Sequence, residues 1–265
     1  MSWTSSWPSA SLVLILALRV SLHNSSALDS SLRPDGKPIL CYVTDRRGFH
    51  DAPQKELIEP LLGKIAAVAA AGVDWIQLRE KDLSAKDSAA LTREALSRVS
   101  KQAHRAETAT RIPVRILVND RLDVALSEHA GGVHLGENSL PAEEAKRLLL
   151  ASQAAQSHTY DFLIGVSCHS LDAATSAASA GADYIFFGPV FTTPSKAAYG
   201  APQGLVRLAE VCSSLTIPVL AIGGITLANA SSCFSAGASG IAAIRLFQDS
   251  AEPAEIVRKL RQHRL

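Results

Sequence analysis

Eight short apolar or β-branched runs, each followed by a stretch with helical spacing, constrain this chain more than any other feature. They fall at residues 39–44, 75–78, 115–118, 132–135, 162–167, 184–187, 218–222 and 240–244. Most are apolar at odd and even positions alike, which suits strands covered on both faces. The segments between them are rich in Ala, Leu, Glu and Arg. Ile58, Leu61, Leu62, Ile65 and Val68, for example, share one helical stripe. Ser84 and Thr226 stand where helix caps are expected. Three helical segments close in Ala71-Gly72-Val73, Ala180-Gly181-Ala182 and Ala236-Gly237-Ala238. Glycine just past a helix end takes the left-handed conformation at little cost and turns the chain back toward the sheet. Eight such units in about 225 residues predict an α/β fold, a single (β/α)8 barrel of the TIM type. An open doubly wound sheet would want a glycine-rich phosphate turn after its first strand, and Thr44-Asp45-Arg46-Arg47 is not one.

Aromatic residues are only 5% of the chain and apolar residues 47%, so the expected core is Ala, Val, Ile and Leu rather than rings. A net charge of +1 with no dense basic run argues against nucleic acid and membrane surfaces as partners. Cys41, Cys168, Cys212 and Cys233 are far apart and form no C-x-x-C pair, which suits reduced thiols in a cytoplasmic protein. Residues 1–37 are serine-rich, and their one apolar run, 12–18, is too short to span a bilayer. No Lys or Arg precedes that run, which counts against a secretory signal, although the small residues around Ser25–Ala27 keep a degenerate one open. The expected organisation is an extension over 1–37, disordered or upstream of the true start, and a barrel domain over 38–265.

Active sites of such barrels lie at the carboxyl ends of the strands, so chemistry can be read by position. After the sixth strand, residues 188–196 read Gly-Pro-Val-Phe-Thr-Thr-Pro-Ser-Lys. Backbone N–H groups, the hydroxyls of Thr192, Thr193 and Ser195, and the Lys196 ammonium suit a phosphate there. An ordinary polar loop is the alternative. The second strand ends in Gln77-Leu78-Arg79-Glu80-Lys81, where strand alternation points Gln77, Arg79 and Lys81 to one side. They form an anion site, unless Arg79 or Lys81 bridges Glu80 at the surface. The third ends in Asn119-Asp120-Arg121. Asp120 beside cations and phosphate suits Mg²⁺, or caps the next helix, and the two roles are compatible.

His134, after the fourth strand, has no His or Cys partner at metal spacing and reads as a packed barrel residue. In Ser167-Cys168-His169 the adjacent Cys and His face opposite ways on an extended strand, which leaves His169 as an acid–base candidate or a structural residue. Gly223-Gly224 after the seventh strand and Ile244-Arg245 after the eighth form a recurrent phosphate site of these barrels.

These segments, in this order, resemble the thiamine-phosphate synthase family from residue 40 to about 248. The resemblance implies an enzyme that joins a pyrimidine carried as a methyl diphosphate to a thiazole ethyl phosphate. It releases pyrophosphate, binds Mg²⁺, and acts on small molecules as a cytoplasmic protein that suits a homodimer. It assigns Gln77, Leu78, Arg79, Glu80, Lys81, Asn119, Ser167 and Lys196 to the pyrimidine diphosphate. Asp120 becomes a metal ligand, and Thr193, Ser195, Gly224, Ile244 and Arg245 hold the thiazole phosphate. Arg79, Lys81 and Lys196 carry catalysis by neutralising the leaving group. Two positions depart from the family: Ser139 replaces a second metal-binding carboxylate, for which Glu137 or a water is the substitute, and Arg245 replaces serine. Both departures keep open a homologous thiazole tautomerase with His169 as acid and base, and a non-catalytic phosphate-binding barrel.

Overall fold

The predicted strands hydrogen-bond in chain order and close on themselves: β1 (Ile39–Val43), β2 (Trp75–Leu78), β3 (Arg115–Asn119), β4 (Gly132–Leu135), β5 (Leu163–Cys168), β6 (Tyr184–Phe187), β7 (Val219–Ile222) and β8 (Gly240–Ala243). All pairings are parallel, and β8 meets β1 with Ile39 opposite Gly240 and Tyr42 opposite Ala243. The helices are α1 (Ile58–Ala71), α2 (Ala85–Arg105), α3 (Leu122–Ser127), α4 (Ala142–Gln156), α5 (Leu171–Ser179), α6 (Gly204–Ser214), α7 (Ala230–Ser235), α8 (Arg245–Gln248) and α9 (Pro253–Leu260). This is the expected single (β/α)8 barrel. The computed structural model describes residues 36–49, 56–105, 113–156, 161–193 and 201–263. The expected extension over 1–37 lies outside them save for Gly36 and Lys37.

Helix ends follow the local chemistry in most places. Gly72, Gly181 and Gly237 have φ of 96°, 91° and 92°, the left-handed turn that their position past a helix end requires. Ser84 Oγ accepts the Asp87 N–H at 3.1 Å and donates to the Asp87 carboxylate at 2.6 Å, so it caps α2 as predicted. Thr226 does not cap a helix. Residues 227–229 form a turn, and α7 begins only at Ala230.

Strand side chains alternate between two cores. Leu40, Ile76, Ile116, Val133, Ile185 and Ile241 belong to the aliphatic layer between strands and helices. The opposite set fills the barrel itself. Trp75 on β2 and Tyr184 on β6 stand on strands across the barrel, and their ring centroids are 4.7 Å apart, so they meet at its axis. Phe186 and His134 stack above them. The expectation of a ring-poor core therefore holds for the outer layer and fails for the interior. Trp75, Tyr184 and Phe186 meet at the axis because Gly165 on β5 makes room. A Cβ on Gly165 would lie 2.0 Å from Cζ of Tyr184.

Two related turns seat these rings. Asp74 precedes Trp75 and Asp183 precedes Tyr184, and each carboxylate accepts a strand N–H at 2.7 Å, from Leu40 and Ile164 respectively. Arg261, just past α9, donates to Asp74 at 2.7 Å and to the Gly72 carbonyl at 3.1 Å, closing the floor of the barrel. Overpacking a filled interior typically costs about 1–3 kcal/mol. Gly165→Ala should lower the stability of the barrel by at least that much in urea denaturation; an unchanged midpoint would show that the axis has slack.

Candidate active site at the carboxyl ends of the strands

At the end of β2 the charges alternate, Arg79-Glu80-Lys81-Asp82, and the fold sorts them. Thr44, fully buried at the end of β1, donates its hydroxyl to Glu80 at 2.7 Å and accepts the Arg79 N–H at 2.9 Å. Arg46 in the following turn donates to Glu80 at 2.9 Å and grips Asp82 with two nitrogens at 2.7 and 2.5 Å. Arg47 adds a third contact to Asp82 at 2.8 Å. Glu80 has a side chain only 4% exposed, so its pairing with Arg46 is protected from solvent. Both acids are taken, and neither Arg79 nor Lys81 has an acidic partner among the described residues. The surface bridge from Arg79 or Lys81 to Glu80, weighed from the sequence, does not form. Leu78 faces the aliphatic layer, and Glu80 turns its carboxylate to Thr44 and Arg46.

A second polar chain runs sideways from β2. Gln77, buried in the barrel, donates its amide to Asn119 Oδ1 at 2.9 Å. That fixes the Asn119 amide so that its nitrogen donates to Asp120 Oδ2 at 2.8 Å. Asp120 Oδ1 meets the Ser139 hydroxyl in a close hydrogen bond and accepts the Gly136 N–H at 3.2 Å. Asp120 has φ of 62°, a left-handed conformation uncommon for a residue with a side chain and one that marks functional sites. It does not cap α3: Arg121 holds the cap position, without a side-chain hydrogen bond. Glu137, the substitute carboxylate considered above, is exposed. A cleft of about 270 Å³ lies between the ends of β2 and β3 and α2, with Lys81, Asn119 and Asp120 in its wall.

Beneath the mouth, His134 is buried, with Nδ1 3.0 Å from the Tyr184 hydroxyl and Nε2 2.8 Å from Ser167 Oγ. Burial pushes its pKa down to about 3, Asp120 opposing the shift and the Arg79 charge adding to it. The ring is neutral and structural, as the sequence suggested. Ser167 is thereby oriented from below. Burial, helped by the Glu137 charge, pushes the Cys168 thiol up to about 12, so it remains protonated and is no nucleophile at neutral pH. His169 Nδ1 donates to the Gly188 carbonyl in a close contact, which leaves Nε2 of the neutral ring an acceptor.

The phosphate-suited half forms where two loops interlock. Val190 and Phe191 donate backbone N–H groups to the Ile222 and Gly223 carbonyls at 2.8 and 3.0 Å. Gly224, with φ of 68°, lies so close to this loop that a Cβ would stand 2.7 Å from the Thr192 carbonyl. Asn229 spans the turn, accepting the Thr226 N–H at 2.8 Å and donating to the Gly224 carbonyl at 2.9 Å. With the turn held so, the Gly224 and Ile225 N–H groups have no partner among the described residues. Thr193 is buried beside this turn sequence, and Ile244 caps the short helix α8. Arg245 is exposed at the start of α8 and does not plug the barrel. Ser195 and Lys196 lie outside the described residues. Asn229 was missed from the sequence; its three-residue spacing from Thr226 after the double glycine was the available signal.

Residues 51–247 match the family described as thiamine monophosphate synthase. The chain belongs to that family. A relative in Geobacter sulfurreducens is 42% identical over 83% of this chain and 92% of its own. Thiamine-phosphate synthase of Roseiflexus sp. (strain RS-1) is 37% identical over 86% of this chain and 85% of its own. Among solved structures, thiamine phosphate pyrophosphorylase from Pyrococcus furiosus superposes with a TM-score of 0.67 at 28% identity, covering 86% of this chain and 95% of that one.

The buried imidazole leaves a signature in stability. Unfolded, His134 titrates near the ordinary value of 6.5, whereas the folded ring stays neutral down to about 3. As pH falls below 6.5 the unfolded chain gains a proton that the folded one refuses, so stability present above 6.5 is lost toward pH 3. Between pH 7 and pH 5 that amounts to about 2 kcal/mol. Urea midpoints of His134→Gln should fall less between those two pH values than those of the native chain; parallel declines would place the titration elsewhere.

Proposed function

We propose that this chain is a thiamine-phosphate synthase, a transferase that condenses 4-amino-2-methyl-5-(diphosphooxymethyl)pyrimidine with 4-methyl-5-(2-phosphoethyl)thiazole. The observation that carries the reading is the pair of unlike anion sites at one barrel mouth. One is made of cations without acidic partners beside a carboxylate, the other of backbone N–H groups on a glycine turn. A diphosphate suits the first and a monophosphate ester the second.

The chemistry follows from that division. The bond between the pyrimidine methylene carbon and its diphosphate oxygen breaks, and the electron pair leaves with the diphosphate. The thiazole nitrogen lone pair then forms the new carbon–nitrogen bond, giving thiamine phosphate and pyrophosphate with no proton transfer. Arg79 and Lys81 act where negative charge grows, and such placed charges favour the transition state over the ground state. Lys196 is assigned the same role from the sequence. Gln77 and Asn119 form the polar edge between pyrimidine and diphosphate, while Ser167 is held in place by His134. Thr193, Ser195, Gly224, Ile244 and Arg245 hold the thiazole phosphate, with Asn229 keeping the turn open to it.

The oxygen donors of Asp120 and Ser139 fit a hard cation that draws its other ligands from diphosphate and water. When bound there, Mg²⁺ supplies further positive charge to the leaving diphosphate. Ser139 brings no charge of its own, so Asp120 is the principal protein ligand in this reading. The resemblance also implies a cytoplasmic homodimer. Among the described residues, no helix is long and apolar enough to cross a membrane.

Asp120→Asn should lower turnover on the order of 10²-fold, the scale of one lost electrostatic partner. His169→Ala should cost less than tenfold, since ionisation asks for no base there. Chelator should abolish thiamine phosphate formation. A tautomerase would reverse the ranking, with His169 essential and chelator without effect.

A further inference from the structure

We infer that Arg46 is a positioning residue of the diphosphate site, acting by holding Glu80 and Asp82 away from Arg79 and Lys81. This rests on the functional reading above. Four consecutive residues carry charges of alternating sign, and their sum is zero. Left to themselves, Arg79 and Lys81 have acids at adjacent and next-but-two positions, and a neutralised segment attracts no diphosphate. The fold prevents that by supplying a competing cation from the turn after β1. Arg46 satisfies Glu80 through its backbone N–H at 3.2 Å and its guanidinium at 2.9 Å, and Asp82 through both terminal nitrogens. A planar fork serves two carboxylates at once in a fixed geometry, which the rotatable donors of an ammonium do not impose.

The turn bearing Arg46 is itself anchored. Gln248, at the end of α8, accepts the Asp45 N–H at 3.2 Å and donates to the Asp45 carbonyl at 2.7 Å. Its oxygen also accepts the buried Tyr42 hydroxyl at 2.9 Å. Gly48 lies against the same amide, where a Cβ would stand 2.4 Å from Nε2. Arg46 is thus presented from a braced position, and Thr44 orients Glu80 toward it from the other side. Both acids of the β2 loop are engaged by partners outside it, Glu80 by Thr44 and Arg46 and Asp82 by Arg46 and Arg47.

The test is the affinity for inorganic pyrophosphate by titration calorimetry, with folding followed by circular dichroism. Arg46→Gln should weaken binding about tenfold, as Glu80 and Asp82 turn to Arg79 and Lys81. Adding Glu80→Gln and Asp82→Asn to that variant should recover most of the loss, since the competing acids are gone. Native affinity in Arg46→Gln, or no recovery in the triple variant, would overturn the inference while leaving the functional reading intact. No pyrophosphate binding by the native chain would overturn both. Should Arg46→Gln fail to fold, Arg46→Lys carries the test: a loss of threefold or more is expected, and native affinity would contradict the inference.

Discussion

The contact between Trp75 and Tyr184 across the barrel axis is the constraint on which the site depends. It places a ring from β2 against a ring from β6, and Gly165 leaves the gap that Tyr184 fills. The Tyr184 hydroxyl reaches His134, and His134 reaches Ser167. A column of packed and hydrogen-bonded groups therefore runs from the middle of the barrel to its mouth. The column ties β2, β4, β5 and β6 together, and the polar residues at their ends inherit that geometry. Interiors at this packing density transmit a misplacement rather than absorb it.

Above the column the fold manages charge. Cations left without acidic partners at a cleft are ready for an anionic ligand, and here Arg79 is half-buried and Lys81 exposed. Here the acids nearest to Arg79 and Lys81 are diverted to Arg46 and Arg47, while Asp120 is engaged by Asn119, Gly136 and Ser139. The opposite side of the mouth relies on backbone N–H groups, with the exposed Arg245 the one formal charge among its described groups. The glycine turn spanned by Asn229 leaves the Gly224 and Ile225 N–H groups without partners among the described residues, which suits a phosphate monoester.

The barrel was legible because its strands are short, apolar runs separated by helices whose ends carry glycine. Most runs match the strands to within a residue or two at either end, and the capping glycines Gly72, Gly181 and Gly237 adopt the expected left-handed turn. Strand-end position was the legible part of the site, and Gln77, Asn119 and Asp120 do stand in one hydrogen-bonded chain. Pairing was not legible. Nothing local distinguishes Glu80 bridging Arg79 from Glu80 bridging Arg46, 34 residues away, because the choice is made by barrel closure. Thr226 reads as a cap for a different, local reason: the turn it enters is governed by Asn229, three residues on. The aromatic axis escaped notice because a low count of rings says nothing of where they gather.

The central claim is that two anion sites at one mouth serve a single condensation. Purified protein supplied with the pyrimidine diphosphate, the thiazole phosphate and Mg²⁺ tests it most directly, by chromatography of thiamine phosphate alongside an assay for pyrophosphate. The account predicts equal amounts of both products, and neither product when the thiazole phosphate is left out. Pyrophosphate release without thiamine phosphate, or isomerisation of a thiazole carboxylate phosphate in the absence of metal, would contradict it.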